Sequence, residues 1–290
     1  MELIARRSEW RALLAAHRRA GARVGLVPTM GALHAGHLSL VEAARGACDV
    51  VAVTIFVNPL QFGDAADLTA YPRDLEADLE AAARAGVDAV FAPSAEEMYP
   101  AGPPETVVVP GPLASLLEGR SRPGHFEGVA TVVTKLFSLA GACSAFFGEK
   151  DFQQLVVVRR IVGDLDLPVS VVGCPIVRDE DGLALSSRNR RLAAGERPAA
   201  RLLYRSLEAG RRVLESGGTP ERAEQEMWAV LATDDLVRPD YAAVVDPDSL
   251  RPPAGGTAGP VRLLVAAEVG PVRLIDNLAA SLAPGGRPIT

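Results

Sequence analysis

The sequence predicts an α/β protein with a Rossmann-like, doubly wound parallel sheet, followed by a second, smaller α+β domain. Two short apolar runs, at residues 24–28 and 50–57, are typical of strands that are buried on both faces. Between them, residues 37–47 carry apolar side chains at helical spacing, so this stretch forms one βαβ unit. After Asn189 the pattern changes from alternating elements to helices followed by strands, which predicts the second domain.

The other predicted elements follow in order along the chain. A first helix within residues 1–24 precedes the first strand. Further first-domain helices are predicted at 74–85, 128–139 and 152–165, and strands at 89–92, 106–109, 144–147 and 169–174. Second-domain helices are predicted at 196–216 and 220–232, and strands at 241–245, 261–267 and 272–275. We expect the boundary near Ile176, which gives domains of residues 1–175 and 176–290, and a loose tail from residue 281.

The composition excludes several classes of protein. The 290 residues are 48% hydrophobic and 23% charged, which is typical of a globular chain and excludes a disordered one. A net charge of -6 gives no basic field for a nucleic-acid backbone, so we expect no nucleic-acid partner. The apolar run at 50–57 is far shorter than the roughly 20 residues of a membrane helix, so we expect no membrane partner and a cytoplasmic location.

Three residue types are scarce, and their positions are informative. The three cysteines lack metal-ligand spacing, and we expect them to be buried as small hydrophobic side chains in a reducing compartment. The only lysines are Lys135 and Lys150, so 28 of the 30 Lys and Arg residues are arginine. Each retained lysine is therefore a candidate for a place where the planar guanidinium does not fit. Of four histidines, His34 and His37 are three residues apart and form the first candidate site.

The segment at residues 28–37, Pro-Thr-Met-Gly-Ala-Leu-His-Ala-Gly-His, joins the first strand to the following helix. At such a turn, free backbone N–H groups and the positive helix end attract phosphate, and the glycines let the main chain approach a ligand. Both imidazoles could donate to phosphate oxygens. The alternative is a glycine turn with incidental histidines. The sequence has no glycine-rich dinucleotide fingerprint, and neither lysine follows a glycine as in a P-loop, so a nucleotide would be held in another way.

At these residues the chain resembles a known family. His34-Ala35-Gly36-His37 is similar to the signature of the HIGH-type nucleotidyltransferase superfamily, and its surroundings resemble the pantothenate synthetase (pantoate–β-alanine ligase) family. Further segments agree in order: IFVNPLQF at 55–62, YPR at 71–73, RPGHFEGV at 122–129, GEKDFQQ at 148–154 and GLALSSRN at 182–189. The resemblance runs from the first helix to about Asn277. The departures are an Ala- and Arg-rich surface, the terminal tail, and Leu185, where some members carry methionine.

The resemblance implies a reaction and its participants. It implies ATP-dependent condensation of (R)-pantoate with β-alanine to pantothenate through a pantoyl adenylate, with release of AMP and pyrophosphate. It also implies Mg²⁺ on the phosphates and a homodimer. Attack of a carboxylate on the α-phosphorus brings an anion towards a polyanion, so the site must spread positive charge over the phosphoryl oxygens and pyrophosphate. His34, His37, Lys150 and Arg188 have the required chemistry.

The resemblance also implies a role for each site residue. His37 is implied as the catalytic proton donor, with His34 and Lys150 as further catalytic groups. The residues implied for ATP are Met30, Gly31, Ala32, Leu33, His34, Ala35, Gly36, His37, Gly148, Glu149, Lys150, Asp151, Val177, Leu185, Ser186, Ser187 and Arg188. Gln61 and Gln154 are implied for the hydroxyls of pantoate, and Gln61 also for β-alanine. Gln153 and Gln154 are adjacent in a helix and do not share a face, so at most one should point into the site.

Several residues keep two interpretations. By composition alone, residues 182–189 are a polar loop, whereas the resemblance makes them a mobile loop that closes on the triphosphate. Asp78 is either a carboxylate near the site or part of a solvated acidic helix face. Arg122 and His125 stay outside the catalytic set, and Lys135 is expected to be a structural cation. The alternative functions are another nucleotidyltransferase of the same fold and a nucleotide-binding module without turnover.

Overall fold

The computed structural model describes residues 1–63, 65–254 and 258–283. It divides into two compact units. The first contains Met1–Glu149 and Gln153–Ile176, and the second contains Lys150–Phe152 and the chain from Val177 onwards. Most of the expected tail, residues 284–290, lies outside the described part of the chain. No helix in the described ranges is both long enough and apolar enough to cross a membrane.

The first unit contains a six-stranded parallel sheet with helices on both faces, which confirms the predicted fold class. Its strands are β1 (Glu2–Ile4), β2 (Val24–Thr29), β3 (Val50–Ile55), β4 (Ala89–Phe91), β5 (Cys143–Gly148) and β6 (Val169–Cys174). Its helices are α1 (Arg7–Arg19), α2 (Ala35–Ala47), α3 (Ala65–Ala70), α4 (Leu75–Arg84), α5 (Ala95–Met98), α6 (Glu118–Ser121), α7 (His125–Ala140) and α8 (Phe152–Asp164). The strands lie in the order β1-β4-β3-β2-β5-β6, and all neighbours pair in parallel.

Neighbouring residues of one strand enter different cores. In β3, Ala52 belongs to the core that contains Trp10 of α1 and Phe137 of α7. Val51 and Val53 belong to the core that contains the buried faces of α2 and α4. Side chains alternate across a strand, so burial of both faces requires a continuous apolar run. This requirement explains the pattern at residues 50–57.

The pairing of β2 with β3 positions the candidate site. The two strands pair in register from Val24 opposite Val50 to Thr29 opposite Ile55. Parallel strands that end together place their following loops side by side at the carboxyl edge of the sheet. The loop after β2 leads to the histidine pair, and the loop after β3 leads to Gln61.

Two features of the first unit differ from the prediction. The predicted strand at residues 106–109 is wrong, because this segment pairs with no strand. The backbone N–H of Val108 donates instead to Thr131 Oγ1 of α7 at 3.0 Å, and Val107 and Val109 are 52% and 62% exposed. Conversely, β1 was not predicted; it forms an edge of the sheet by pairing with β4.

The second unit contains a three-stranded antiparallel sheet and helices. Its helices are α9 (Glu196–Ala200), α10 (Leu202–Glu215) and α11 (Pro220–Leu231), and its strands are β7 (Val237–Val245), β8 (Gly259–Val269) and β9 (Val272–Leu282). The sheet order is β7-β8-β9, with both pairs antiparallel. The predicted helix at 196–216 is two helices separated at Arg201, whose Nε donates to Asp181 Oδ2 at 2.9 Å.

The cysteines are free and largely enclosed. Cys48 and Cys174 are buried, and Cys143 is half-buried. Burial raises the pKa of the Cys143 thiol to about 12, so this thiol stays protonated at neutral pH.

We predict that Gly128→Ala in α7 destabilises the fold, because a Cβ there would overlap the Leu60 carbonyl oxygen and lie 2.7 Å from Gln61 Cα. Backbone atoms yield little, so we expect a loss of about 1–3 kcal/mol in the free energy of unfolding. The matched control is Gly163→Ala in α8, where a Cβ would meet nothing within 4 Å. This change should stabilise by about 0.5–1 kcal/mol. Urea unfolding of both variants is the measurement, and changes of the same sign would contradict the close approach of α7 to the loop.

Candidate active site

The turn between β2 and α2 is held by a buried carboxylate. Gly31 and Ala32 have φ of +84° and +51°, in the left-handed region. The Asp78 side chain of α4 accepts hydrogen bonds from the backbone N–H of Ala32 at 2.9 Å and of Leu33 at 2.7 Å. A Cβ at position 31 would lie 2.7 Å from Asp78 Oδ2, so both the conformation and the close approach require glycine.

Asp78 therefore does not belong to a solvated acidic face, because it is only 4% exposed. Asp74, one helical turn earlier, is exposed and caps α4 by accepting from Ala77 N at 3.1 Å. The structure thus separates two acidic residues that the sequence placed in one group. It also shows that the N–H groups of residues 32 and 33, expected to attract phosphate, are bonded to Asp78.

The two histidines lie together at the start of α2. His34 is the N-cap residue, and its Nδ1 accepts from the Gly36 N–H at 3.1 Å. In the neutral ring the proton is therefore on Nε2. The ring centroids of His34 and His37 are 4.1 Å apart, and both side chains are half-buried. The pair presents two imidazoles at the end of β2.

Gln61 lies beside this turn, in the short 3₁₀ helix Pro59–Gln61 that follows β3. It is 7% exposed, and its Nε2 donates to Met30 Sδ at 3.0 Å. The sequence does not place His125 in the catalytic set. The Nδ1 atom of its ring lies 2.9 Å from the Gln61 carbonyl oxygen. Arg122 Nη1 is 3.2 Å from His125 Nε2, so these residues support the loop that carries Gln61.

The two glutamines of α8 have different environments. Gln153 is 4% exposed, donates to the carbonyl oxygens of Leu113 and Leu116 at 2.9 and 2.8 Å, and accepts from Glu118 N at 3.1 Å. Its amide therefore anchors the loop before α6. Gln154 is half-buried and makes none of these contacts.

Gly148 ends β5, and a Cβ on it would meet nothing within 4 Å, so there is open space beside this strand end. Glu149 follows it in a 3₁₀ turn that extends to Asp151.

Lys150 is bound into the second unit through its backbone. Asn277 Nδ2 of β9 donates to the Lys150 carbonyl oxygen at 2.8 Å, and Arg262 Nε donates to Asn277 Oδ1 at 2.7 Å. The Arg262 guanidinium lies over the Phe152 ring at 4.2 Å from its centroid. The Lys150 ammonium lies 3.3 Å from Asp151 Oδ1. The sequence does not single out Asn277 as the partner of the Lys150 backbone, because its signal there is a polar pair, Asp276-Asn277, after an apolar strand.

Asp276 adds a buried charge to this group. It is 3% exposed and accepts two hydrogen bonds from Arg178, at 2.6 and 2.9 Å. Burial raises the pKa of Asp276, while the Arg178 guanidinium and the Lys150 ammonium act in the opposite direction. Arg178 also lies over the Tyr204 ring at 4.1 Å.

The remaining candidate residues of the second unit lie on one hairpin and the turn after it. Leu185 N donates to the Val177 carbonyl oxygen at 2.9 Å, and Arg178 pairs with Ala184 in a β-bridge. Ser186 then caps a 3₁₀ helix, Ser187–Arg191, by accepting from Arg188 N at 3.3 Å. The structure therefore brings Val177 and Leu185 together and places Ser186, Ser187 and Arg188 directly after them.

Among the residues that the structure describes, no group of three or more His, Cys, Asp or Glu side chains is placed to hold a metal ion.

Comparisons with known proteins give the family. The family described as Pantoate-beta-alanine ligase matches residues 2–279. The chain belongs to the pantoate–β-alanine ligase family. The pantothenate synthetases of Sinorhizobium medicae and Salinispora arenicola are both 52% identical, over 96% and 98% of this chain and 95% and 99% of their own.

Solved structures agree with this membership. A pantothenate synthetase from Thermus thermophilus matches with a TM-score of 0.90 and 51% identity, over 96% of this ligase and 99% of that chain. A pantoate–β-alanine ligase from Francisella tularensis, solved in complex with beta-gamma ATP and β-alanine, matches with a TM-score of 0.79 and 32% identity, over 96% and 97% of the two chains. The fold of this ligase is thus the fold of its family.

We predict that Asp78→Asn lowers the free energy of unfolding of this ligase. An amide keeps one acceptor but turns an NH₂ group towards the second backbone N–H, which leaves a buried donor unsatisfied at a cost of about 1–3 kcal/mol. Asp74→Asn in the same helix is the control, because asparagine is as good an N-cap as aspartate and the change should stay within about 0.5 kcal/mol. Equal midpoints for the two variants in urea unfolding would show that Asp78 does not hold the turn.

Proposed function

We propose that this ligase joins (R)-pantoate to β-alanine at the carboxyl edge of the parallel sheet, in an ATP-dependent reaction that passes through a pantoyl adenylate. The observation that carries the proposal is the pair of His34 and His37 rings, 4.1 Å apart at the end of β2, beside Gln61 and Met30. Membership of the family over residues 2–279 supplies the reaction class. The relative solved with beta-gamma ATP and β-alanine supports the same two substrates here.

In the first step, a pantoate carboxylate oxygen attacks the α-phosphorus of ATP. A P–O bond to the carboxylate forms, the bond to the β-phosphate oxygen breaks, and pyrophosphate leaves. We assign His37 as the proton donor to the departing pyrophosphate, with the His34 Nε2–H directed at phosphate oxygens. Lys150 stabilises the negative charge that grows on the transferring phosphoryl group.

In the second step, the amine of β-alanine attacks the carbonyl carbon of the adenylate. A C–N bond forms, the C–O bond to the phosphate breaks, AMP leaves, and the amine loses a proton. Gln61 and Gln154 are assigned to pantoate, which must keep its position between the two steps, and Gln61 also to β-alanine. Correct placement of the reacting atoms accounts for a large part of the rate enhancement in such condensations.

The assignments for ATP complete the proposal. In the first unit they comprise Met30, Gly31, Ala32, Leu33, His34, Ala35, Gly36, His37, Gly148 and Glu149. In the second unit they comprise Lys150, Asp151, Val177, Leu185, Ser186, Ser187 and Arg188. The family resemblance supports a role for residues 176–290 in closing over the nucleotide- and pantoate-binding domain of residues 1–175, which would protect the adenylate from water.

The resemblance also supports Mg²⁺, a homodimer and a cytoplasmic location. Mg²⁺ keeps several waters and is usually bound through substrate phosphates and one or two carboxylates. The described residues contain no group of three or more His, Cys, Asp or Glu side chains placed to hold a metal, which fits an ion carried by ATP. When bound, the ion neutralises charge on the phosphates.

The order of the steps predicts an exchange reaction. With ATP, Mg²⁺ and pantoate but no β-alanine, the enzyme should move labelled pyrophosphate into ATP, because adenylate formation is reversible and precedes amine attack. Omission of pantoate should abolish the exchange. Exchange supported by another acid in place of pantoate would point to a different nucleotidyltransferase, and absence of any exchange would contradict adenylate formation.

The scarcity of lysine predicts the effect of a conservative change. Lys150→Arg should fold normally but form pantoyl adenylate ~10²–10³-fold more slowly, because the planar guanidinium replaces a compact ammonium beside the phosphates. The control is the other lysine, Lys135, whose Nζ lies 5.4 Å from the centroid of the Tyr99 ring. Lys135→Arg keeps a cation over that ring and should change the rate by less than about threefold. Single-turnover quench experiments measure both rates, and equal rates would remove Lys150 from the assigned chemistry.

A further inference from the structure

The orientation of the Asn58 amide is fixed by two backbone groups. Asn58 is 1% exposed. Its Oδ1 accepts from the Leu60 N–H at 3.3 Å, and its Nδ2 donates to the Gly128 carbonyl oxygen at 3.1 Å. A backbone N–H only donates and a carbonyl oxygen only accepts, so the oxygen and nitrogen ends of this amide are determined without reference to any other side chain.

Tyr99 adds a third bond to this amide. Its hydroxyl lies 2.8 Å from Asn58 Oδ1, and because that oxygen is an acceptor, the phenol donates. Burial raises the pKa of Tyr99, so the phenol keeps its proton throughout the range in which the enzyme would be assayed. The ring is 8% exposed and packs near Phe56, with centroids 6.1 Å apart. The donor is therefore held in place.

Asn58 in turn fixes Gln61. Asn58 Nδ2 lies 3.2 Å from Gln61 Oε1, so that atom must be the acceptor and the Gln61 NH₂ group must face the other way. On that side Nε2 is 3.0 Å from Met30 Sδ. A thioether sulfur is a weak hydrogen-bond acceptor. An oxygen acceptor on a ligand would be a better partner than the sulfur.

We propose that Tyr99 is a positioning residue: its hydroxyl reinforces the orientation of Asn58 and thereby holds the Gln61 amide with its NH₂ group towards pantoate, so that this amide recognises an oxygen acceptor of the substrate. The inference deepens the proposed function and rests on its assignment of Gln61 to pantoate. An amide that was free to rotate would present either a donor or an acceptor. In this chain, the backbone groups of Leu60 and Gly128 that orient Asn58, together with the Tyr99 hydroxyl, select the donor.

The test is Tyr99→Phe in the full-length enzyme. The ring stays, but of the two bonds that the described residues donate to Asn58 Oδ1 the 2.8 Å one is lost and the 3.3 Å one from Leu60 N stays, so the orientation of Gln61 is less firmly held. We expect the pantoate KM to rise about three- to tenfold, as for loss of one uncharged hydrogen bond, with the ATP KM within about twofold of the wild type. Tyr204→Phe is the control, since it removes a phenol hydroxyl of the second unit and keeps its ring beside Arg178.

A double-mutant cycle separates positioning from a general loss of stability. In a Gln61→Ala background, Tyr99→Phe should have little further effect on the pantoate KM, because the residue that it positions is absent. The KM of a pantoate analogue that lacks the hydroxyl recognised by Gln61 should likewise be unaffected by Tyr99→Phe. Two analogues, each lacking one hydroxyl, are compared to find which hydroxyl that is. An equal effect of Tyr99→Phe with and without Gln61, or an equal rise in the KM of ATP, would overturn the inference.

The proposed function is checked separately in the wild type. Pantoate-dependent pyrophosphate exchange tests the reaction itself and does not depend on Tyr99. If exchange occurs and the cycle shows no coupling, the positioning role is wrong while the reaction stands. If exchange fails, the proposed function is wrong, and with it the assignment of Gln61 on which the inference rests.

Discussion

The parallel register of β2 and β3 decides where the candidate site of the first unit lies. Thr29 pairs with Ile55, so the two strands end at the same edge of the sheet. The following loops are therefore neighbours, and Met30 and Gln61, which are 31 residues apart in sequence, come within 3.0 Å. If the register shifted by one residue, the side chains of the strand that enter one core would face the other. Because both faces of these apolar strands are buried, the packing of the sheet core depends on the pairing of β2 with β3. The position of the site depends on the same pairing.

Buried polar side chains hold these loops in shape. Asp78 bonds the turn before the histidines, Asn58 bonds Leu60 N in the loop of Gln61, and Gln153 bonds the loop before α6. Each bonds main-chain groups of a loop, which would otherwise lack partners in the interior. The half-buried side chains of His34 and His37 are therefore carried by a turn that a buried carboxylate bonds. Preorganisation of this kind is what charge stabilisation during phosphoryl transfer requires.

The second unit uses the same principle with charged groups. Asp276 is buried, and its two hydrogen bonds from Arg178 offset the cost of removing a carboxylate from water. The adjacent Asn277 bonds the backbone of Lys150, so strand β9 fixes the main chain from which the lysine side chain extends. The lysine is 127 residues from Asn277 in sequence, yet Lys150–Phe152 groups with the second unit by its contacts. A residue assigned to the reaction is thus supported by a strand near the end of the chain.

The sequence by itself determined the class of fold, the family and the proximity of the two histidines. Strands buried on both faces are continuous apolar runs, helices keep their own period, and His34 and His37 are only three residues apart at one strand-to-helix turn, so these features are encoded locally. Tertiary structure decided the rest. Residues 106–109 have the pattern of a strand but form none, and Val108 N bonds a side chain of α7 instead. Asp74 and Asp78 belong to the same acidic segment, although only Asp78 is buried. The bonding of Gln153, the orientation of Gln61 and the support of Lys150 likewise depend on Leu113, Asn58 and Asn277. The physical reason is that a buried polar group must find a partner, and in a folded chain that partner comes from a distant segment that no local pattern specifies.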